Sequence, residues 1–244
     1  MESYKDLLHQ YGSPLYVYHL ESVREAHKHL MLALPETSQL YYSLKANPHP
    51  ELVRELASLG CHAEVSSEHE LSIALSAGMQ PNKCLYTGPG KTHYEIRFAL
   101  QRGVKMFSVD SFHEASKIAA ICRSLNTRAS LIPRINPDKI EAGAKINMSG
   151  GPSQFGMDIH CLKQFPELTS QYKEIQIEGY HIYMGTNVSS SDRLLNIFNK
   201  TIECMYHLSE SYSLSASTLF LGGGFGHPFA EKGNSPDFTP IKKP

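Results

Sequence analysis

The sequence has 244 residues, 41% of them hydrophobic and 19% charged, which is enough to form one large α/β domain with a substantial core. A formal net charge of -1 excludes the broad basic surface that nucleic acid or an anionic membrane would need, so the expected partner is a small molecule. The polar opening residues and the lack of an apolar run near about 18 residues predict no signal peptide and no membrane span, and therefore a cytoplasmic protein.

The first predicted elements form an N-terminal segment, residues 1–33. It contains a short helix over residues 1–12, closed by Gly12, and a strand over residues 14–18. A longer helix over residues 21–34 ends at Pro35. The main domain is predicted to span residues 34–230, and residues 231–244 form a polar tail with no strand signal.

A regular alternation of strands and helices begins near residue 40. Early strands are spaced by about 21 to 24 residues, which is typical of consecutive βα units with right-handed crossovers. A helical stretch follows each of the first six strands, and a further helix covers residues 191–210. The residues alone leave two folds open, a (β/α)8 barrel and a doubly wound sheet. The predicted strands lie near Tyr41, His62, Cys84, Met106, Ala129, Ile175 and Leu219.

Three predicted helices begin with a hydroxyl residue that is followed three positions later by glutamate. This spacing predicts capping boxes, in which the hydroxyl and the glutamate satisfy each other's backbone amides at a strand-to-helix turn. The pairs are Ser67 with Glu70, Thr92 with Glu95 and Ser111 with Glu114. A glycine-rich stretch over residues 136–160 interrupts the alternation and is predicted to be an extended, functional loop.

A lysine ends the first strand of the alternation. Lys45 would share one strand face with Tyr41 and Ser43, and Pro48 stops the strand soon afterwards. Such a lysine is either a solvated surface charge or a desolvated amine suited to Schiff-base chemistry. The pattern alone favours the surface charge.

A run of glycines, Gly222–Gly224, follows the predicted strand at Leu219. Residues without side chains at a strand end let backbone amides approach an anion, although such a turn can also be purely structural. In barrels the phosphate site is frequently formed after strands 7 and 8, and Leu219 lies in the seventh predicted strand. The position therefore favours a phosphate site.

Other candidate site residues lie at later strand ends. His181, Tyr183 and Gly185 share one face by the period of two, and form either one side of a site or a core histidine with a structural tyrosine. Arg134 is either a surface ion pair or a ligand for carboxylate or phosphate. The five cysteines are odd in number, far apart and without a CxxC pair, which predicts buried thiols and no metal site.

Seven motifs, in the same order and over nearly the whole chain, resemble the fold-type III pyridoxal-phosphate decarboxylases. This group holds diaminopimelate, ornithine and arginine decarboxylases, with alanine racemase as a more distant barrel relative. The resemblance implies an α/β fold, a (β/α)8 TIM-type barrel of the alanine racemase and ornithine decarboxylase kind. The motifs are SPLYVY, YYSLKANPHPELV, AEVSSEHEL, RINP, SQFGMD, HIYMGTN and GGGFG.

The resemblance also implies the residues of the site. Lys45 would hold pyridoxal 5′-phosphate as a Schiff base, with His181 and Tyr183 as further catalytic residues. Tyr183 stands where the family usually has a histidine that stacks on the cofactor, and Thr186 replaces a commoner serine. The implied cofactor-binding residues are Lys45, Glu64, Ser67, Arg134, Tyr183, Gly185, Thr186, Gly222, Gly223 and Gly224.

The implied activity is decarboxylation of an amino acid, either diaminopimelate-like or ornithine-like, or bound to a carrier protein. The stretch GGPSQFG is similar to a subgroup with exosortase-associated decarboxylases and enzymes that act on carrier-tethered amino acids. The complete protein is expected to be a homodimer. Two alternatives are an amino acid racemase and a non-catalytic, cofactor-binding regulatory barrel.

The family's eighth barrel strand and its following β domain would lie beyond residue 244. The eighth strand carries a glutamate that pairs with the cofactor's pyridinium nitrogen, and the β domain carries a catalytic cysteine. The chain is therefore expected to be a fragment or one half of a split enzyme, and a poor catalyst alone. An incomplete barrel also leaves open strand edges.

Overall fold

A computed structural model describes residues 3–136, 154–183, 185, 187–212, 214, 216–228 and 232–242. The helices are α1 (Tyr4–Tyr11), α2 (Leu20–Ala33), α3 (Pro50–Ser58), α4 (Glu68–Ser76), α5 (His93–Gln101), α6 (Phe112–Leu125), α7 (Phe165–Gln171) and α8 (Ser191–Tyr212). The strands are β1 (Tyr41–Ser43), β2 (His62–Val65), β3 (Cys84–Tyr86), β4 (Met106–Val109), β5 (Ala129–Ile135), β6 (Ile175–Ile177), β7 (Gly179–Ile182) and β8 (Thr218–Phe220). Short 3₁₀ helices cover Pro81–Lys83, Ile159–Gln164 and Thr239–Lys242.

All strands belong to one parallel sheet whose order follows the chain. β1 to β5 pair in succession, and β8 pairs with β7. β6 and β7 both pair with β5, β6 along Ala129–Leu131 and β7 at Arg134 and Ile135. β6 and β7 therefore occupy a single strand position in the sheet, next to β5. The described part of the chain thus contains eight strands at seven positions.

The sheet curls until its two edge strands face each other. The rings of Tyr41 in β1 and Phe220 in β8 make an edge-to-face contact with centroids 5.1 Å apart. Among the described residues no hydrogen-bonded pairing joins these two strands. The fold is thus the TIM-type barrel implied by the resemblance, with a gap between β1 and β8, and the doubly wound sheet is excluded.

Strands β3, β4, β5 and β7 are almost entirely buried because helices cover the outside of the sheet, whereas the edge strands β1 and β8 are half-buried. Ala63, Val65, Phe107 and Val109 are fully buried in the core cluster that the strands share with the helices. By the period of two, the residues between them point into the barrel. The inner face therefore carries polar side chains such as Glu64, and these define the site.

Thr92 and Glu95 form the predicted capping box, with the hydroxyl and the carboxylate each accepting from the other's amide. At Ser67 only half of the prediction is confirmed. Its hydroxyl accepts from the Glu70 amide, but the Glu70 carboxylate accepts from the amide and hydroxyl of Ser66, one residue before the cap. The Ser66 hydroxyl adds a second donor to that carboxylate.

The third predicted box, at the start of α6, departs from the expectation in the same way. The Ser111 hydroxyl accepts from the Glu114 amide at 3.1 Å. The Glu114 carboxylate accepts from the Asp110 amide at 2.8 Å rather than from the cap residue. Its other oxygen binds Lys91, which fixes the carboxylate away from the cap.

The strand predicted over residues 14–18 is wrong. This segment has no strand partner in the described structure, and Tyr16 is 83% exposed. Alternating apolar residues alone do not make a strand, since the backbone needs a neighbouring strand to pair with. The other predicted strands are present, and β7 is an additional one.

The N-terminal and C-terminal segments meet on one side of the barrel. The 3₁₀ helix Thr239–Lys242 packs against α2 and α8, and its Ile241 is buried. No strand occurs in the described part of residues 231–244, as expected, while the domain boundaries at residues 33 and 230 stay a prediction. None of the described helices is both long and apolar enough to cross a membrane.

Candidate active site

Lys45 lies at the mouth of the barrel, at the C-terminal end of β1. The amide of Leu44 still donates to the Glu64 carbonyl at 3.0 Å, so the pairing with β2 continues up to the lysine. The Lys45 side chain is 70% exposed, and its Nζ is 4.0 Å from Glu64 Oε1. The amine is therefore solvated and accessible beside a carboxylate, rather than desolvated.

Glu64 is held in place by the next strand of the barrel. Its Oε1 accepts from the Thr87 hydroxyl at 3.2 Å, and Thr87 itself is buried. Thr87 directly follows β3, at the same edge of the sheet as Lys45. Sequence reasoning missed this residue, although the positions just after parallel strands are where site residues are expected in a barrel.

The turn that carries Lys45 is fixed by Asn47. The Asn47 side chain accepts from the His49 amide and donates to the Tyr18 hydroxyl, each at 3.0 Å. The backbone carbonyl of Asn47 accepts from the Tyr42 hydroxyl at 2.9 Å. The N-terminal segment thus contributes Tyr18 to the support of the lysine turn.

Tyr183 and Gly222 pack directly against each other. Gly222 has a φ of +70°, and a Cβ added there would overlap the Tyr183 ring. Gly223 has a φ of +76° but has nothing within 4 Å of an added Cβ. The tyrosine is therefore held by a backbone position that only glycine fits, while the next glycine faces open space.

The two glycine-containing loops meet beside this contact. A Cβ on Gly224 would lie 2.9 Å from the Gly185 carbonyl oxygen. The Val188 amide donates to the Gly224 carbonyl at 2.8 Å and joins the two loops. The structure thus brings the predicted Gly185 and Gly222–Gly224 together, whereas Thr186 lies outside the described residues.

His181 is buried inside the barrel on β7. Its Nδ1 is 2.9 Å from the Ser108 hydroxyl on β4. Burial, aided by the positive charges of Arg134, Lys45 and Lys91, lowers the pKa of His181 to about 3. The imidazole is therefore neutral near pH 7, as expected for a satisfied core histidine.

This low pKa predicts a loss of stability in mild acid. The unfolded chain takes up a proton at His181 near its ordinary pKa of 6.5, but the folded chain stays neutral down to about 3. Stability therefore falls as the pH drops below 6.5 and levels off below about 3. Between pH 7.5 and 5.0 His181 should cost about 2 kcal/mol of unfolding free energy.

Urea unfolding at the two pH values measures this cost. The drop in unfolding free energy should be about 2 kcal/mol smaller for His181→Gln than for the natural sequence. The exposed His93→Gln is the matched control for replacing a histidine by glutamine. Equal drops in His181→Gln and the natural sequence would contradict a depressed pKa at His181.

Arg134 lies at the end of β5 and contacts Phe155, in the described part of the long loop. Its guanidinium is 3.8 Å from Asp110 Oδ1 and stacks 4.7 Å from the centre of the Phe155 ring. The Gly156 amide donates to the same Asp110 oxygen at 2.7 Å. Arg134 is thus part of the barrel mouth rather than a surface ion pair. Residues 137–153 of the predicted loop lie outside the described residues.

Ser67 is half-buried and serves as the N-cap of α4. Its place in the cofactor site therefore stays a prediction. All five cysteines are free, and four of them are buried as predicted, Cys161 being half-buried. Over the described ranges, no group of three or more His, Cys, Asp or Glu side chains is placed to hold a metal ion.

A family model described as the pyridoxal-binding domain of pyridoxal-dependent decarboxylases matches residues 20–243. The chain belongs to this family. The resemblance seen in the seven motifs is thereby confirmed, and pyridoxal phosphate is the family's cofactor. The match covers β1 to β8, and hence every candidate site residue.

The proteins to which the chain is similar are decarboxylases, in agreement with this family. The chain is 30% identical to the L-glutamyl-[BtrI acyl-carrier protein] decarboxylase of Niallia circulans, over 91% of this chain and 52% of that protein. It is 30% identical to the diaminopimelate decarboxylase of Aquifex aeolicus, over 96% of this chain and 56% of that protein. Among solved structures, the diaminopimelate decarboxylase of M. jannaschii in complex with L-lysine matches with a TM-score of 0.82 at 25% identity. This match covers 97% of this chain and 57% of that one. The chain spans about half the length of the curated relatives it matches.

The residues present fit pyridoxal phosphate. The cofactor needs an accessible amine, a place for an anionic phosphate and a surface for a flat ring. Lys45 could supply the amine, and Gly222–Gly224, which follow β8 with positive φ and no side chains, could form a backbone cradle for the phosphate. Tyr183, which packs against Gly222, could offer the ring surface.

Proposed function

We propose that the chain is the cofactor-binding barrel of a pyridoxal-phosphate-dependent amino acid decarboxylase and that Lys45 binds the cofactor covalently. The observation that carries this proposal is the exposed Lys45 amine at the barrel mouth, 4.0 Å from Glu64. It lies at the strand end expected for the site of a TIM-type barrel. The family match over residues 20–243 supports the same cofactor.

Each side chain then has a defined task. Glu64, oriented by Thr87, offers a negative charge beside the Lys45 amine. The amides of Gly222–Gly224, together with Gly185 and Thr186, would hold the phosphate. When bound, pyridoxal phosphate supplies an electron sink for the electron pair left on the substrate carbon as carbon dioxide departs.

The inner face contributes charge and packing. Tyr183 offers a flat ring for stacking. Arg134 holds a positive charge at the mouth, where a substrate carboxylate or an anionic ring oxygen can pair with it. His181 is neutral near pH 7, so we assign it a hydrogen-bonding and packing task beside the site rather than the task of a cation.

Borohydride reduction tests the proposal. The chain is incubated with pyridoxal phosphate, reduced, digested and analysed by mass spectrometry, with modification expected at Lys45. Pyridoxal without phosphate is the matched control, and should label Lys45 much less because it cannot use the glycine cradle. Modification chiefly at another lysine would sink the proposal.

We further propose that the substrate is an amino acid, either free or attached to a carrier protein. The names of the two curated relatives support these two classes. Carbon dioxide release from diaminopimelate, ornithine and a glutamyl carrier protein would separate the free from the carrier-bound substrate. Loss of optical activity without carbon dioxide release would instead identify a racemase.

A homodimer and a cytoplasmic location are part of the same proposal. Exposed aromatic side chains on the N-terminal segment, including Tyr4, Tyr11 and Tyr16, support an interface with another chain. Five free cysteines support a reducing compartment. Light scattering after size-exclusion chromatography gives the mass, and a monomer at all concentrations would contradict the dimer.

A further inference from the structure

A buried lysine lies beside the candidate site, at the ends of β3 and β4. The Lys91 side chain is only 1% exposed. Its Nζ donates to the Gly88 and Ser108 carbonyls, each at 2.6 Å, and to Glu114 Oε1 at 2.8 Å. Three acceptors satisfy all three ammonium hydrogens, which is the condition under which a buried lysine is tolerated.

Glu114 connects Lys91 to the backbone at the barrel mouth. Its carboxylate is 6% exposed, and the oxygen that does not bind Lys91 accepts from the Asp110 amide at 2.8 Å. The pair therefore joins the loop after β3 to the turn after β4. A fully buried ion pair is costly to break, because removing one partner leaves the other buried and unpaired.

Asp110 carries the connection to Arg134. Its side chain is 4% exposed, and Oδ1 accepts from the Gly156 amide at 2.7 Å and lies 3.8 Å from the Arg134 guanidinium. Its Oδ2 is buried and has no hydrogen-bond partner within the described part of the chain. A buried carboxylate in this state depends on the nearby arginine for compensation.

A second branch leads to His181. Ser108, whose carbonyl binds Lys91, places its hydroxyl 2.9 Å from His181 Nδ1. Lys91 thus stands at the junction of two connections, one to Arg134 and one to His181. Both end on inner-face residues that the proposed function uses.

We infer that Lys91 and Glu114 are positioning residues of the cofactor site, a role that rests on the proposed function. Both side chains are almost fully buried, so they would act through their neighbours rather than by contact with the cofactor. They hold Asp110 so that it orients Arg134 and anchors the segment at Gly156. In a side-chain network of this kind, the free-energy effects of single substitutions do not add up in the multiple variant.

Two double variants that both remove the buried charges provide the test. Lys91→Met with Glu114→Leu leaves the Asp110 amide without its acceptor, whereas Lys91→Met with Glu114→Gln keeps an oxygen there. In the chain without cofactor, hydrogen exchange of the Gly156 amide should be about tenfold faster in the Leu variant. It should stay near the natural rate in the Gln variant.

Cofactor binding is the second readout, measured as the Kd for pyridoxal phosphate by equilibrium dialysis. The Leu variant should bind about tenfold more weakly than the Gln variant. Ile118→Ala, one turn further along α6 and fully buried, controls for lost stability alone. It should leave both the Gly156 exchange and the Kd unchanged.

The outcomes separate the two proposals. Unchanged Gly156 exchange in the Leu variant overturns the network, and faster exchange with an unchanged Kd overturns the positioning role. If the natural chain binds no pyridoxal phosphate, the proposed function is wrong, and so is the positioning role that rests on it. The hydrogen exchange of the Gly156 amide still tests the network by itself.

If the Leu variant does not fold, Asp110→Ala takes its place. It removes the residue that contacts both Arg134 and Gly156, without leaving an unpaired buried charge on Lys91 or Glu114. Gly156 exchange and the Kd should change as described for the Leu variant. Adding Lys91→Met and Glu114→Gln to Asp110→Ala should then change the Kd little further, whereas additive effects would contradict action through Asp110.

Discussion

Replacing Lys45 by alanine is expected to abolish covalent retention of pyridoxal phosphate and to lower the decarboxylation rate at least about 10³-fold. The physical reason is that no other described side chain places an amine beside Glu64 at the barrel mouth. Because the lysine is exposed, the unfolding free energy should change by less than about 0.5 kcal/mol. Borohydride trapping, carbon dioxide release and urea unfolding measure the three effects.

Two further variants make the result specific. Lys45→Arg keeps a positive charge beside Glu64 but cannot form the covalent link, so it should be as inactive as the alanine variant. Lys83→Ala removes another exposed lysine, which precedes β3 at the opposite end of the barrel, and should retain full trapping. Persistent covalent retention in Lys45→Ala would refute the assignment of this lysine.

Gly222→Ala is expected to have the second largest effect. The new methyl group would overlap the Tyr183 ring at a backbone φ of +70°. Strain and overpacking together should cost about 2 to 4 kcal/mol of unfolding free energy. The displaced ring and backbone should also weaken pyridoxal phosphate binding by about 100-fold, since the cradle must move.

Gly223→Ala is a closely matched control. Its φ of +76° imposes similar backbone strain, but nothing lies within 4 Å of its added methyl group. It should therefore cost only about 1 kcal/mol, the strain part alone. Adding Tyr183→Ala to Gly222→Ala should recover part of the stability, and no recovery would show that Tyr183 is not the obstacle.

Much of the fold could be predicted from the sequence because its signals are local. Strand and helix periods, the hydroxyl caps of α4, α5 and α6 and the glycines after β8 each involve residues only a few positions apart. Lys45 was placed correctly at the end of β1 for the same reason. The strand expected over residues 14–18 failed because pairing depends on a neighbour elsewhere in the chain.

The sequence by itself determined the order of the βα units, the helix starts and the membership of a decarboxylase family. Residue patterns alone left a barrel and a doubly wound sheet open, and the resemblance implied the barrel. Only the tertiary structure decided how far the sheet curls, since twist and stagger add up over all strands and bring Tyr41 to Phe220. It also decided that Lys45 is exposed and Lys91 buried. The partners of Lys91 at Ser108 and Glu114 lie 17 and 23 residues away, beyond the reach of any local pattern.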